Sequence, residues 1–247
     1  IDSSFYDASA WSLVHAYNLP HAEIKVPFAT GNRIMSLPAT TTATAQKSNY
    51  AYVMNNTDYN IHKVIYALQS RGVIVQSSFR PFAAMVNGTQ KKFGYGSIVV
   101  SVQQQNISAD SLFRAVTAAT SQSGIAVYSS STGFNAGGVD MGSGYVRTLK
   151  KPAAAMIVGT GVGASEAGFI WHLLDEKLQM PITKIDILNL GRADLSRYNT
   201  LIMVSGNYAI IDKNTTDKIK TWVQSGKTMI TIKGGTEWVI RNGFTKE

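Results

Sequence analysis

The chain has 247 residues, of which 45% are hydrophobic and 15% are charged, and its formal net charge at pH 7 is +8. Such a length can bury one large α/β core or two smaller ones. The absence of cysteine excludes disulfides, thiolate metal sites and a cysteine nucleophile within this segment.

The distribution of charged and apolar residues limits the kinds of binding partner that we expect for this chain. Lysine and arginine are scattered, with only the short pairs Lys91-Lys92 and Lys150-Lys151. No run combines clustered arginine with interleaved aromatic residues, so we expect no nucleic acid partner. No apolar run approaches the roughly 20 residues that cross a bilayer, so we expect no membrane span. The chain begins at Ile1 rather than methionine, which predicts a processed or excised product.

Residues 1–45 are predicted to be a lead-in or linker. Ala8–Tyr17 fits a short helix that ends before Pro20, because the residue preceding a proline disfavours the helical conformation. The inward positions of this helix would be Trp11, Val14 and His15. The threonine-rich stretch 40–44 is typical of an extended connector.

Residues 46–150 are predicted to form a first α/β unit. One helix is expected from an N-cap at Asp58 to Arg71, and another from an N-cap at Ser108. The predicted strands are 49–56, 73–76, 97–102 and 125–128. Residues 79–92 are expected to be irregular around the turn Asn87-Gly88. The stretch 129–144, rich in serine and glycine, is predicted to be a mobile, exposed boundary.

Residues 151–247 are predicted to form a second α/β unit. The predicted strands are 153–158, 184–188, 200–204 and 228–232. They alternate with helical segments in the order expected for parallel sheets, so the predicted fold class is α/β, with two units of parallel or mixed sheet flanked by helices. A doubly wound sheet would continue past residue 247, so this unit is expected to be truncated.

The turn after the strand 153–158 poses the main question about ligands. Gly159, Gly161 and Gly163 partly match the pattern G-x-G-x-x-G, with Ala164 in the third glycine position, and Asp186 follows in the next strand. One interpretation is a phosphate or dinucleotide at a helix N-terminus. The other is a tight structural turn between strand and helix, and a single glycine motif favours this second interpretation.

His172 and Asp175 are the candidate metal ligands in the sequence. Their spacing of three residues would place both on one face of a helix. No third ligand is evident in the sequence, and a protein zinc site needs three or four. We therefore expect no metal and no cofactor in this chain.

Two polar turns follow the later strands of the second unit. The turn Gly234-Gly235-Thr236 has the layout of a nucleophile elbow, with Thr236 as the hydroxyl candidate. Ser205 and Asn207 lie in another loop at the same sheet edge. No histidine follows Thr236 to activate its hydroxyl, so structural roles are the better interpretation of both turns.

Several segments resemble the region that follows the peptidase domain in large zinc carboxypeptidases of the carboxypeptidase A type from Bacteroidetes. The segments that carry the resemblance are Phe5–Leu13, Ala16–Pro20, Gly168–Asp175, Met180–Thr183 and Leu195–Leu201. The resemblance implies a second unit with a class I glutamine amidotransferase-like, flavodoxin-like fold. It also implies a periplasmic or secreted location, an upstream peptidase domain as partner, a peptide substrate for the parent, and zinc in that missing domain.

Two departures limit what the resemblance carries over. The zinc peptidase signature, a His-x-x-Glu pair with a distant histidine, has no counterpart in this sequence. An amidotransferase needs a cysteine on its elbow, and here Thr236 or a glycine takes that place. The sequence therefore predicts a non-catalytic C-terminal accessory region of an exported zinc metallocarboxypeptidase. The alternatives are a small-molecule binding module that uses the loops Gly159–Gly163 and Ser205–Tyr208, and a degenerate hydrolase that uses Thr236.

Overall fold

The computed structural model describes residues 13–33, 35–36 and 45–245. The chain divides into two units, Ile1–Ala39 and Thr40–Glu247. In the first unit, the described helix is the single turn α1, Leu13–Ala16, and Leu19 N–H donates to the carbonyl of Val14 at 2.8 Å. Trp11 and the threonine-rich connector 40–44 lie outside the described residues.

The second unit begins with a five-stranded antiparallel sheet and its two helices. Its elements, with those of a smaller sheet inserted among them, are β1 (Ala51–Met54), α2 (Ile61–Ser70), β2 (Gln76–Ser78), β3 (Phe82–Val86), β4 (Thr89–Phe93), β5 (Ile98–Ser101), α3 (Ala109–Ser123), β6 (Tyr128–Ser130), β7 (Gly137–Gly138) and β8 (Val146–Thr148). The strand order is β6-β1-β5-β2-β8, and each neighbouring pair is antiparallel. This differs from the parallel pairing that the alternation of strands and helices suggested.

The reason for the difference lies in which strands become neighbours. The strands on either side of α2, β1 and β2, run in the same direction but are separated by β5. Likewise β5 and β6, joined through α3, are separated by β1. This connectivity is the split β-α-β, or ferredoxin-like, arrangement.

Both faces of this sheet are covered. On one face, α2 and α3 bury an apolar core that includes Leu68 and Leu112. On the other lies a three-stranded sheet of order β4-β3-β7, whose Phe82 and Phe93 rings stack with centroids 5.2 Å apart. The prediction that 79–92 is irregular was wrong, because Asn87-Gly88 is the turn of the β3–β4 hairpin.

The stretch 129–144 is also more ordered than predicted. It contains β7, and three of its side chains are buried, with relative exposures of 1% to 6%: Ser130, Asn135 and Met141. Met141 belongs to the core beneath the three-stranded sheet. The prediction that this stretch is exposed was therefore wrong at these positions.

The remainder of the unit contains a four-stranded parallel sheet. Its elements are β9 (Ala154–Val158), α4 (Ala164–Trp171), a π-helical segment (His172–Lys177), β10 (Ile182–Asp186), β11 (Thr200–Met203), α5 (Lys213–Gln224), β12 (Thr228–Thr231) and α6 (Gly234–Arg241). The order is β10-β9-β11-β12, with every pair parallel. The predicted α/β class is therefore confirmed.

Alternation along β9 sends its side chains to two separate cores. Ala155 and Ile157 join the core that α5 and α6 cover, which includes Trp222 and Trp238. Ala154 and Met156 join the core on the opposite face, beneath α4. Within the described residues, no helix is both long and apolar enough to cross a membrane.

Candidate functional site

The carboxyl edge of the parallel sheet is where a ligand site would be expected. From β9 the chain moves to β10 on one side of the sheet and then to β11 on the other. In such sheets the crevice at this reversal, between the carboxyl ends of β9 and β11, is the usual ligand position. The two loops that border it are 159–163 and 205–208, the loops named from the sequence.

The two loops are hydrogen-bonded to each other across this crevice. Gly163 N–H donates to the carbonyl of Ser205 at 2.7 Å, and Asn207 N–H donates to the carbonyl of Gly161 at 2.9 Å. Val162 and Gly206 form an antiparallel bridge between them. The crevice is therefore occupied by backbone, and these amide groups are directed at the neighbouring loop.

The glycines in these loops are explained by that close approach. A Cβ atom at Gly163 would lie 2.9 Å from the carbonyl oxygen of Ser205, and one at Gly206 would lie 2.9 Å from that of Gly161. Gly159 has φ 107°, and a Cβ there would lie 2.9 Å from Oδ2 of Asp186. Asp186 itself accepts a hydrogen bond from Leu188 N–H at 2.8 Å. These contacts give each candidate a structural role.

Glu166, in the first turn of α4, connects three segments at this edge. Its Oε2 accepts a hydrogen bond from Ser205 N–H at 2.8 Å, and its Oε1 lies 2.7 Å from Nζ of Lys233. Both interactions favour the carboxylate form. The Lys233 ammonium above all, and then the Ser205 amide, hold the pKa of Glu166 below its ordinary value.

Lys233 is the residue at the elbow between β12 and α6. Its backbone angles are φ 47° and ψ −115°, an unusual combination for a residue with a side chain. The sequence had suggested Thr236 or a glycine for this position, and a helix start near Glu237. Instead α6 begins at Gly234, so Lys233 precedes its first turn.

Thr236 lies inside α6 and its hydroxyl is engaged. Its Oγ1 donates to Oγ1 of Thr231 at 3.0 Å. In the described part of the chain, no histidine contacts this hydroxyl or the Lys233 amine. The arrangement therefore lacks the base that would activate Thr236.

The other polar candidates at this edge also have local partners. Oδ1 of Asn207 accepts from Ala209 N–H at 3.0 Å, and the Tyr208 hydroxyl donates to the carbonyl of Val204 at 2.8 Å. Burial first, and the Glu166 carboxylate second, raise the pKa of Tyr208 to about 12. A pocket of about 480 Å³ beside Tyr208 is bordered by α6, where Glu237 and Arg241 form an ion pair at 3.3 Å.

Asp175, one of the two candidate metal ligands, has a partner other than His172. Asp175 Oδ2 accepts a hydrogen bond from Nε1 of Trp171 at 3.0 Å, and His172 is exposed at the start of the π-helical segment. Among the described residues, no group of three or more histidine, aspartate or glutamate side chains is placed to hold a metal ion.

A second cavity, which the sequence interpretation missed, lies beside α2. Its volume is about 290 Å³, and it is bordered by the sheet ends near Ser77 and Ile98, by the chain around Lys150, and by Met180. The residues of α2 that line it are His62, Ile65, Tyr66 and Gln69. Their spacing of three and four residues marks a second helix face, a signal that was present in the sequence.

Comparison with known proteins gives no match: no protein-family model, curated protein or solved structure is significantly similar to this chain. The resemblance to carboxypeptidase tails therefore stays a prediction from the sequence segments that carry it.

Proposed function

We propose that this chain is a non-catalytic accessory region of an exported protein, and that its partner is the zinc carboxypeptidase-type domain that the sequence resemblance implies. In this proposal the parent removes C-terminal residues from peptides in the periplasm or outside the cell. The present chain would stabilise or present the peptidase domain, and the zinc would be bound by that domain.

The proposal that this chain is non-catalytic depends on the side chains at the turn between β12 and α6. The position that presents a nucleophile in enzymes with this layout holds Lys233, whose amine is ion-paired with Glu166. Covalent acyl transfer needs a nucleophile with a base within hydrogen-bond reach. Thr236 lacks such a base within the described residues, and its hydroxyl is bonded to Thr231.

The non-catalytic part is tested by glutaminase and carboxypeptidase assays on the purified chain. The assays include the variants Thr236→Ala and Lys233→Ala. We expect turnover no higher than that of the buffer in all three proteins. Turnover that is well above the buffer rate and is lost in either variant would contradict the proposal.

The association with a peptidase is tested separately, from the reading frame upstream of the codon for Ile1. A His-x-x-Glu signature with a distant histidine in that frame would support it. A frame that encodes a different catalytic domain would refute the carboxypeptidase assignment and leave the non-catalytic assignment intact.

The alternative function, small-molecule binding, is not favoured at the glycine loops, because they are bonded to each other. The cavity beside α2 is a more suitable location for it.

A further inference from the structure

We propose that the cavity beside α2 binds a small monocarboxylate that has an apolar body and a neutral N–H or O–H donor. The cavity volume of about 290 Å³ lies near the lower end of the range for ligand sites, which suits a single small molecule rather than a polymer. This site is separate from the carboxyl edge of the parallel sheet and does not depend on the accessory function.

The need for a hydrogen-bond donor comes from Gln69. This side chain lines the cavity and is 91% buried, and its Oε1 has no hydrogen-bond partner among the described residues. Its Nε2 donates to the carbonyl of Leu149 at 2.9 Å. Because a carbonyl can only accept, this bond fixes which end of the amide is nitrogen and leaves the oxygen unpaired.

An unpaired buried oxygen is unfavourable, and a ligand donor would relieve that cost. Ser77 adds a second polar side chain at the same cavity, and this residue is 8% exposed. Buried polar groups are normally paired, so the unpaired oxygen of Gln69 at this cavity points to a polar ligand atom there.

The other residues that line the cavity indicate the apolar body and the carboxylate of the ligand. Ile65, Ile98 and Leu149 offer apolar contacts for its body. Lys150 is exposed, and among the described residues that line the cavity it is the one lysine or arginine and none is aspartate or glutamate. A carboxylate near Lys150 would gain a charge-assisted hydrogen bond, whereas a ligand ammonium would meet only a like charge.

Isothermal titration calorimetry on the full chain with three matched probes tests the assignment. N-acetyl-L-leucine carries the amide donor, the apolar body and the carboxylate. 4-Methylpentanoate lacks the amide donor, and N-acetyl-L-leucinamide lacks the carboxylate. We expect N-acetyl-L-leucine to bind saturably, and each of the other two to bind about tenfold more weakly.

Variants locate the binding. Lys150→Ala should weaken N-acetyl-L-leucine about tenfold and leave N-acetyl-L-leucinamide unchanged, because only the acid has a carboxylate to lose a partner. Gln69→Leu should weaken N-acetyl-L-leucine but not 4-methylpentanoate. If Gln69→Leu does not fold, the comparison at Lys150 still decides the question.

Lys92→Ala is the matched control, since it removes the same charge from an exposed position on β4, away from the cavity. Three outcomes would overturn the proposal. They are no saturable binding of any probe, equal weakening of acid and amide by Lys150→Ala, or the same weakening in Lys92→Ala.

Discussion

Lys233 illustrates how much of a site depends on one residue's backbone. Its strained conformation costs on the order of 1–3 kcal/mol, and close packing of the two residues that follow it helps to maintain it. A Cβ atom at Gly234 would lie 2.5 Å from the carbonyl oxygen of Gly206, and one at Gly235 would lie 2.7 Å from that of Met203. The elbow is therefore held by close packing of the start of α6 against the end of β11 and the loop after it.

The ion pair between Lys233 and Glu166 leads to a prediction about pH. Because the pKa of Glu166 is lowered in the folded chain, its contribution to stability is present above its ordinary value of 4.5 and is lost as the pH falls through the folded value. The variant Glu166→Gln should therefore be less stable than the wild type at pH 7. The difference should shrink as the pH is lowered below that ordinary value, as measured by urea unfolding at pH 7 and at a series of acidic pH values.

The matched control is Asp217→Asn, which removes a carboxylate that pairs with Lys213 at 2.6 Å within α5. That pair connects neighbouring turns of one helix, whereas Glu166 connects three segments, so the control should lose less stability at pH 7. Equal losses in the two variants, or a Glu166→Gln difference that does not shrink on acidification, would contradict the role given to Glu166.

At the scale of elements, the start of α3 was predicted correctly from the sequence. Ser108 is the N-cap of α3, and its hydroxyl oxygen accepts from Ser111 N–H at 3.2 Å, as the sequence predicted. Ser108→Ala should lower the free energy of unfolding by about 1 kcal/mol, measured by urea denaturation. Ser121→Ala, at an exposed position on the same helix, should cause no loss. A loss at Ser121 as large as that at Ser108 would point to a general effect of the substitution.

Other caps and strand limits shift by a few residues. The helix predicted from an N-cap at Asp58 begins at Ile61 with Asn60 at the N-cap, because Asp58 instead accepts a hydrogen bond from Asn60 N–H at 3.1 Å. The strand predicted at 73–76 is found at Gln76–Ser78. Val73 and Val75 are buried but precede the strand, so their apolar character indicated burial rather than sheet pairing.

The direction in which neighbouring strands pair could not be predicted from the sequence, for a physical reason. The sequence predicted strands at 49–56 and 97–102, and this is confirmed, since β1 and β5 lie within these ranges. Which strand pairs with which depends on contacts distant in the chain, such as Val53 opposite Val99.

At the candidate site, the glycine turn could be predicted, but not that its partner would be the loop after β11. Nor could the sequence show that the Oε1 atom of Gln69 lacks a partner, because the orientation of this amide depends on the position of Leu149.

At the scale of the whole molecule, metal content is one testable property. The described residues offer no cluster of three ligands, and the sequence has four histidines and no cysteine. We expect the purified chain to hold no stoichiometric zinc by metal analysis. About one tightly held zinc per chain that resists weak chelators would contradict this and would renew interest in His172.

The last prediction concerns whether residues 40–247 unfold in one step or in separate steps. Its four apolar cores divide cleanly, since two contain only residues before 150 and two contain only residues after 153. Independent cores joined by few apolar contacts can unfold in separate steps. A substitution in one core should then leave the unfolding of the other unchanged.

The tryptophans allow this to be measured. Trp171, Trp222 and Trp238 all lie after residue 153, and Trp11→Phe removes the remaining one. In that background, Leu112→Ala in the core beneath α2 and α3 should cost about 2–5 kcal/mol by calorimetry without moving the tryptophan fluorescence transition. Ile219→Ala, in the core beneath α5, should move the fluorescence transition. If Leu112→Ala shifts the fluorescence transition as much as Ile219→Ala does, the two sheets unfold together and the prediction is wrong.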